Sequence, residues 1–476
     1  MKINMPEKVN QIIAILLEHG YEAYAVGGCV RDSLLSREAD DWDITTSASP
    51  YEVKELFKRT VDTGIQHGTV TVLLDKEGFE VTTYRIDGEY EDSRHPKQVE
   101  FTKSLAEDLR RRDFTINAIA YNEENGLVDL FGGREDLEHK VIRCVGNAAE
   151  RFEEDALRIL RAFRFSAQLD FAIEETTRRE AAIHAGDLKK ISAERIRTEL
   201  DKLLLSAHPE RLLSAFQSGI TAVVLPEFDR MLETPQRNTN HQYNVGEHVL
   251  HTIKFAGNKK LQQEVINKIL PGFDAASVTS DRAWSKRELR MLRWSALLHD
   301  VAKPEMHKID ENGEDHFPGH AAAGAEKARQ VLQRFRFDNE TTDYVVRLVA
   351  AHDYYQYEKT DAGLRKTIHR FGPDLMEMLW ELQLADVLAQ SPALLEQKLS
   401  ELAIAKHLHR LIIERGDCVE LKQLAVSGKD LMEAGFAPGP QIGKLLSGLL
   451  EAVLEEPEQN TKESLLFRLQ GQNKQP

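Results

Sequence analysis

Gly27-Gly28-Cys29-Val30-Arg31-Asp32, followed within ten residues by Asp40-Asp41-Trp42-Asp43-Ile44-Thr45-Thr46, decides the reading of the first part of the chain. The run Tyr21 to Val26 before it reads as a strand, and Val30 to Leu35 after it opens a helix. Glycines at such a strand-to-helix turn let backbone approach a ligand, and the helix start offers free N–H groups to phosphate. Arg31 can add a charge-assisted bond to a phosphate. On a strand, residues i and i+2 share a face, so Asp41 and Asp43 aim two carboxylates at one point. A hard cation such as Mg²⁺ takes an oxygen cluster of this kind.

Outward from this core, Val9 to Leu17 has the rhythm of an amphipathic helix, and 68–74 with 79–84 reads as a strand pair around a turn at Lys76-Glu77-Gly78. Residues 87–97 are polar, without apolar rhythm, and read as a loop. Arg110-Arg111-Arg112-Asp113 then abuts an apolar run, Phe114-Thr115-Ile116-Asn117-Ala118, that must be buried. Phe152 to Phe165 reads as one helix, with Asp155, Arg158, Arg161 and Arg164 at every third position and Ile159, Leu160 and Phe163 on the other side. Two readings of that stripe stand: a solvated salt-bridged face, or an acceptor and guanidinium donors offered to a base edge. From about Asn147 onward helical periodicity dominates. The fold expected is α+β: a small mixed sheet with helices as a head (1–140), then a helical neck and body (141–235), a third helical segment (240–390) and a helical tail (391–476).

The chain of 476 residues has a formal net charge of −16, which taken alone counts against a nucleic-acid partner. The excess is uneven: most lies in the head, and 140–211 is near neutral, so the sum is blind to where the arginines collect. Cys29, Cys144 and Cys418 lie far apart, which excludes a disulfide framework or a cysteine-built zinc site. No apolar stretch is long enough to span a membrane. The start, Met1-Lys2-Ile3-Asn4-Met5-Pro6, lacks the apolar block of a secretory signal, and the expected location is the cytoplasm.

The motifs, in this order, resemble the class II CCA-adding enzymes, tRNA nucleotidyltransferases of the poly(A) polymerase superfamily. They are Gly-Gly-x-Val-Arg-Asp with Asp-x-Asp, Arg-Arg-Asp-Phe-Thr-Ile-Asn-Ala, Asp129-Leu130-Phe131-Gly132-Gly133, Glu154-Asp155-Ala156-Leu157-Arg158 and Ile191-Ser192-Ala193-Glu194-Arg195-Ile196. The resemblance implies that Asp41 and Asp43 are catalytic and hold Mg²⁺. It implies that Gly28, Arg31, Arg112, Asp155, Arg158, Arg161 and Arg164 bind CTP or ATP, with Arg112 at the triphosphate, Asp113 at the ribose and the Asp155/Arg158 pair selecting C or A. The partner implied is the tRNA 3′ end. Glu80 is the one weak candidate for a third carboxylate. Gln66-His67-Gly68-Thr69-Val70-Thr71-Val72 resembles the CCA-adding version of its strand, and Tyr84-Arg85-Ile86-Asp87 through Asp92-Ser93-Arg94-His95-Pro96 resembles the loop that carries such enzymes from C to A addition.

Further on, Leu297-Leu298-His299-Asp300-Val301-Ala302-Lys303-Pro304 resembles the HD-domain phosphohydrolase signature. That resemblance implies a second divalent metal on His248, His299, Asp300 and Asp386, with His320 and His352 between them in sequence. Imidazole with carboxylate suits Mn, Ni, Fe, Zn or Mg. Ser427 to Gly443 resembles the tail module that docks the tRNA elbow. The expected function is CCA addition with appended phosphohydrolase chemistry. The alternatives are an HD-type phosphohydrolase as the main activity, or a poly(A) or A-adding polymerase.

Overall fold

A computed structural model of the chain describes residues 2–39, 41–87, 99–354 and 358–472. They form two compact units, Met1–Pro226 and Glu227–Pro476. The architecture is α+β, with the sheet in the first unit and helices through the remainder.

The first unit is built on a seven-stranded sheet in the order β3-β4-β5-β2-β1-β8-β9. Its strands are β1 (Ala23–Val26), β2 (Ile44–Thr46), β3 (Thr60–Gly64), β4 (Thr69–Leu74) and β5 (Glu77–Thr83); a separate hairpin, β6 (Arg85–Asp87) with β7 (Val99–Phe101), precedes β8 (Ile119–Asn122) and β9 (Gly126–Asp129). All neighbours in the large sheet are antiparallel except β2 and β5, which run parallel with Ile44 beside Val81 and Thr46 beside Thr83. The central strands β1 and β8 are buried along their whole length, so they carry continuous apolar runs rather than alternation. For that reason β8 reads from sequence only as part of a buried run.

Two local expectations are corrected. The β4–β5 turn is Asp75-Lys76, not Lys76-Glu77-Gly78. Both its residues take positive φ (48° and 71°), the twist a two-residue hairpin requires. The stretch 152–165 is not one helix. Ala148–Glu154 ends before Asp155, whose backbone is extended (φ −144°, ψ 102°), and Leu157–Leu169 begins anew. The Asp155 carboxylate accepts from the Leu157 N–H at 3.0 Å, capping the second helix, so a short acid that competes for backbone N–H groups breaks the rhythm. Residues 88–98, which hold the Asp92–Pro96 part of the C-to-A loop, lie outside the described residues.

The second unit is helical apart from a two-stranded hairpin, Lys308–Ile309 with Asp315–His316. At its centre is Met376–Leu388, in which every residue but Glu377 is buried; a helix without a polar face must sit inside a bundle. Val245–Phe255, Lys286–Leu298 and Asn339–Ala351 pack around it. Lys286–Leu298 starts at a capping box of Ser285 with Glu288, and His320–Arg334 follows a left-handed Gly319. These helices point the ends that carry His248, His299, His320, His352 and Asp386 at one place. In the tail, Ser427 and Asp430 form a capping box for Gly428–Glu433, and Pro440 opens Pro440–Glu455.

Candidate active sites

In the first unit the strand that feeds the Gly27 turn is bonded to the backbone of Asp43. Gly27 has φ +83°, which favours glycine, and a Cβ on it would crowd Arg112 Nη1 at 3.1 Å. Gly28, the sequence candidate, is the first residue of the helix Gly28–Leu34. The Val26 N–H donates to the Asp43 carbonyl at 3.0 Å, tying the Asp41/Asp43 segment to the strand that feeds the turn. One step back along the parallel β2–β5 register, Asp43 stands beside Glu80. Desolvation pushes the Asp43 carboxyl up, Arg112 pulls it down and Asp41 repels it. Desolvation also raises Glu80, with Asp43 and Asp41 adding repulsion. Asp43 and Glu80 each stand near other carboxylates, and a hard divalent cation held there would relieve the repulsion.

The arginines meet around one ring. The guanidinium carbons of Arg164, Arg31 and Arg161 lie 4.0, 5.0 and 5.4 Å from the Phe165 centroid. Like charges so close require counter-ions, and each has one. Arg31 forks onto Asp32 at 2.9 and 2.8 Å and donates to Asn117 Oδ1 at 2.7 Å. Arg161 Nε donates to Asp113 at 2.7 Å. Arg164 Nε lies 3.0 Å from Glu199, close for charge but poorly aligned for a hydrogen bond. Burial would raise Asp113, but Arg161 and the Asn117 amide outweigh it and hold the carboxyl well below its usual range. Burial lowers Arg164 to about 10, which leaves it charged at neutral pH. Arg112 lies 3.5 Å from Asp108, an acid it shares with Arg111.

Asp155 and Arg158 do not pair with each other through their side chains. Asp155 accepts from Arg195 at 2.8 Å; Arg158 pairs with Glu154 and donates to the Arg151 and Arg111 carbonyls at 3.1 and 3.0 Å. Asn117, Phe165, Arg195 and Glu199 were not singled out by sequence. Asn117 had a signal: a lone amide in the apolar run 114–118 must find partners, and it bridges Arg31 to Asp113. Arg195 lay in the Ile191–Ile196 motif without a role given to it, and Glu199 had no signal, because its partner Arg164 lies over thirty residues away.

The second unit brings together all six histidine and aspartate candidates. His248 Nε2 lies 2.9 Å from Asp386 and 3.3 Å from His299 Nε2, and His299 Nε2 lies 3.2 Å from Asp300. On the other side of Asp300, His320 and His352 approach its second oxygen at 3.5 and 3.6 Å. Each imidazole donates Nδ1–H to a backbone carbonyl: His248 to Ala389, His299 to Ala296, His320 to Phe317 and His352 to Val349. That fixes the tautomer and leaves Nε2 as the ligating atom, the usual support of a metal-binding histidine. The donor set therefore fits a transition-metal cation.

Comparison with known proteins is consistent with the first unit. Residues 23–143 match the poly A polymerase head domain, 170–232 a probable RNA and SrmB-binding site of polymerase A, and 320–468 a putative tRNA nucleotidyltransferase domain 2. The sheet, the acid pair and the arginine cluster thus belong to a nucleotidyltransferase of the poly(A) polymerase class. The CCA-adding enzyme of Lactiplantibacillus plantarum is 35% identical over 459 residues, 96% of this chain and 93% of the relative. That of Streptococcus thermophilus is 34% identical over 98% of this chain and 96% of its own. A crystal structure of the Bacillus stearothermophilus CCA-adding enzyme in complex with CTP superposes with a TM-score of 0.69 at 27% identity, covering 99% of this chain and all of the other. The chain belongs to the family of CCA-adding enzymes.

Proposed function

We propose that this chain completes the 3′ end of tRNA with CCA, taking CTP and ATP and releasing pyrophosphate, with Asp41 and Asp43 holding Mg²⁺. Its full-length similarity to CCA-adding enzymes carries the reading, and the backbone bond that ties Asp43 to the strand feeding the Gly27 turn supports it. In the reaction the terminal 3′ oxygen bonds to the α-phosphorus, the bond to the β-phosphate oxygen breaks, and the hydroxyl proton leaves to solvent. Mg²⁺, when bound, neutralises charge on the transferring phosphoryl group. The chain's own part is positioning. Helix Gly28–Leu34 offers N–H groups from Gly28 onward, while Arg31 and Arg112 face the phosphates. Asp113 accepts from the ribose, already oriented by Arg161 and Asn117. Arg164 backs the ring of Phe165 against the same cluster. Asp155 and Arg158 must exchange Arg195 and Glu154 for a base edge, an exchange of equivalent bonds. The segments 1–140, 141–235 and 391–476 serve as head, neck with RNA-binding body, and tRNA-docking tail. The cytoplasm, where tRNA and nucleotides are at hand, is the proposed location.

The test is incorporation of labelled CTP and ATP into tRNA lacking its CCA. Asp41→Ala with Asp43→Ala removes several kcal/mol of charge stabilisation and should cut transfer by about 10³-fold or more. No incorporation by the unaltered chain refutes the proposal; a long A tract identifies a poly(A) polymerase, and ATP use alone an A-adding enzyme. A second reading is favoured by the pinned imidazoles: 240–390 is an HD-type domain that binds a divalent metal through His248, His299, Asp300 and Asp386.

A further inference from the structure

One buried carboxylate oxygen in the first unit touches both the strand that follows Asp43 and the guanidinium of Arg112. Asp108 lies in the helix Leu105–Arg110 and is 0% exposed. Its Oδ1 accepts from Arg111, from Nε at 3.0 Å and from Nη2 at 2.6 Å. Its Oδ2 accepts from two other groups, the Thr45 hydroxyl at 3.1 Å and Arg112 Nη2 at 3.5 Å. Thr45 is fully buried on β2, two residues after Asp43. Its hydroxyl also lies 3.3 Å from the Thr82 carbonyl on β5. A hydroxyl has one proton to give, and the nearer, charged oxygen of Asp108 is the stronger acceptor.

Arg112 depends on this contact. Its Nη1 reaches the Gly27 turn, and its charge pulls the Asp43 carboxyl down. Its Nε is buried without a partner, and among the described residues its guanidinium has one hydrogen-bond acceptor, Asp108, at long range. Arg111 competes for the same carboxylate with two shorter bonds. A carboxylate free to turn would give both oxygens to Arg111, whose fork fits its edge. The Thr45 hydroxyl opposes that turn, because it holds Oδ2 toward β2 and within reach of Arg112. The carboxylate is charged throughout: burial pushes it up, but Arg111 and Arg112 outweigh burial and hold it below the usual range.

We infer that Thr45 is a positioning residue for nucleotidyl transfer: through Asp108 Oδ2, its hydroxyl holds Arg112 in register with Asp43. The inference rests on the reading above, in which Arg112 faces the phosphates and Asp43 holds Mg²⁺, and adds what fixes their separation. A phosphoryl group gripped from two elements reacts fastest when both grips are set for one geometry before it arrives. Thr45 sits on the strand that follows the metal-holding acid, so the register is made between the two grips themselves.

The test is single-turnover incorporation of CTP into tRNA lacking its CCA, by the parent chain, Thr45→Val, Arg112→Lys and the double variant. Valine fills the buried space without the hydroxyl, and lysine gives up the terminal Nη2 that meets Asp108. Thr45→Val should lower the rate constant about tenfold, the worth of one hydrogen bond to a charged group. The half-saturating CTP concentration should stay within about threefold, since a misset guanidinium still meets the phosphates. Thr45→Ser restores the hydroxyl and should recover most of the rate. In the Arg112→Lys chain, Thr45→Val should cost less than about twofold, because the group it positions is gone. A tenfold loss in both backgrounds would make Thr45 structural only and overturn the inference, as would Thr45→Val at the parent rate or a serine chain no faster than the valine chain. Thr45→Ala also lacks the hydroxyl and gives the same comparison where the valine chain fails to fold. No incorporation by the parent chain overturns the transferase reading and this inference together; incorporation that is indifferent to the Thr45 hydroxyl overturns this inference alone.

Discussion

The two units hold their buried acids in opposite ways. In the first, each of the four buried carboxylates among the described residues faces a guanidinium: Asp108 with Arg111, Asp113 with Arg161, Asp136 with Arg143 and Glu199 with Arg164. In the second, only Asp315 does, with Arg237; Asp386 faces imidazoles, Asp300 faces imidazoles and the Lys303 ammonium at 2.7 Å, and Glu381 faces the Gln262 amide and the Gly257 N–H. A guanidinium stays charged at any working pH, so these four acids are paired before a ligand arrives. An imidazole whose Nδ1–H is spent on a carbonyl still offers Nε2 to a cation, so the second unit has donors left to be completed by what it binds. Acids paired to guanidinium make a fixed scaffold, whereas acids set among imidazole Nε2 atoms make a donor set for a cation.

The sharpest way to break this contrast is to remove a counter-ion. Arg164 and Glu199 are both nearly excluded from solvent, with side chains 7% and 5% exposed. Glu199→Ala strands a buried arginine and should cost about 3–5 kcal/mol of first-unit stability in urea unfolding. Glu199→Leu with Arg164→Met replaces the pair by apolar groups of like size and should recover most of that loss. A single variant that costs less than about 1 kcal/mol would mean that Arg164 finds water, and that the first unit is not pre-paired.

Metal removal addresses the other side. Three of the four tryptophans, Trp284, Trp294 and Trp380, lie in the second unit, and two of them are fully buried. Tryptophan fluorescence therefore reports mainly on that unit. An ion at a hundred times its Kd stabilises by about 2.7 kcal/mol. A chelator should lower the fluorescence-monitored melting temperature, and Mn²⁺ should restore it, equally in the Asp41→Ala with Asp43→Ala chain. A melting temperature indifferent to chelator would show the imidazole cluster to be self-sufficient.

The same contrast explains what was legible. The glycine turn was legible from residue type; the histidine–aspartate set came through family resemblance, and the acid pair, expected on a strand, lies just before β2, which begins at Ile44. The helix broken at Asp155 was not, since apolar periodicity runs through a residue whose side chain captures the Leu157 N–H. Nor was Glu199, whose partner Arg164 comes from a distant segment. Glu80 was legible only weakly, because its place beside Asp43 depends on the parallel β2–β5 register. Pairings made by tertiary structure leave no periodic trace, and the first unit is built of such pairings.

Acid sets the two units against each other in the smallest of these effects, and the signs are opposite. The Asp113 carboxyl is held below its unfolded value, so the stability it contributes is whole above about pH 3.9 and is lost as pH falls through the folded value. Glu381 is the reverse. Desolvation raises its carboxyl, with the Gln262 amide opposing, so its charged form costs stability at neutral pH. That cost shrinks as pH falls through the raised folded value and is gone near the unfolded value of about 4.3. Glu381→Gln should therefore stabilise the second unit by on the order of 1 kcal/mol at pH 7, with the gain vanishing toward pH 4. Asp113→Asn should destabilise the first unit at pH 7, with its deficit closing only in stronger acid. Urea unfolding of both variants across pH 3 to 7 measures the two slopes, and slopes of the same sign would mean that the units do not differ in how they hold a buried charge.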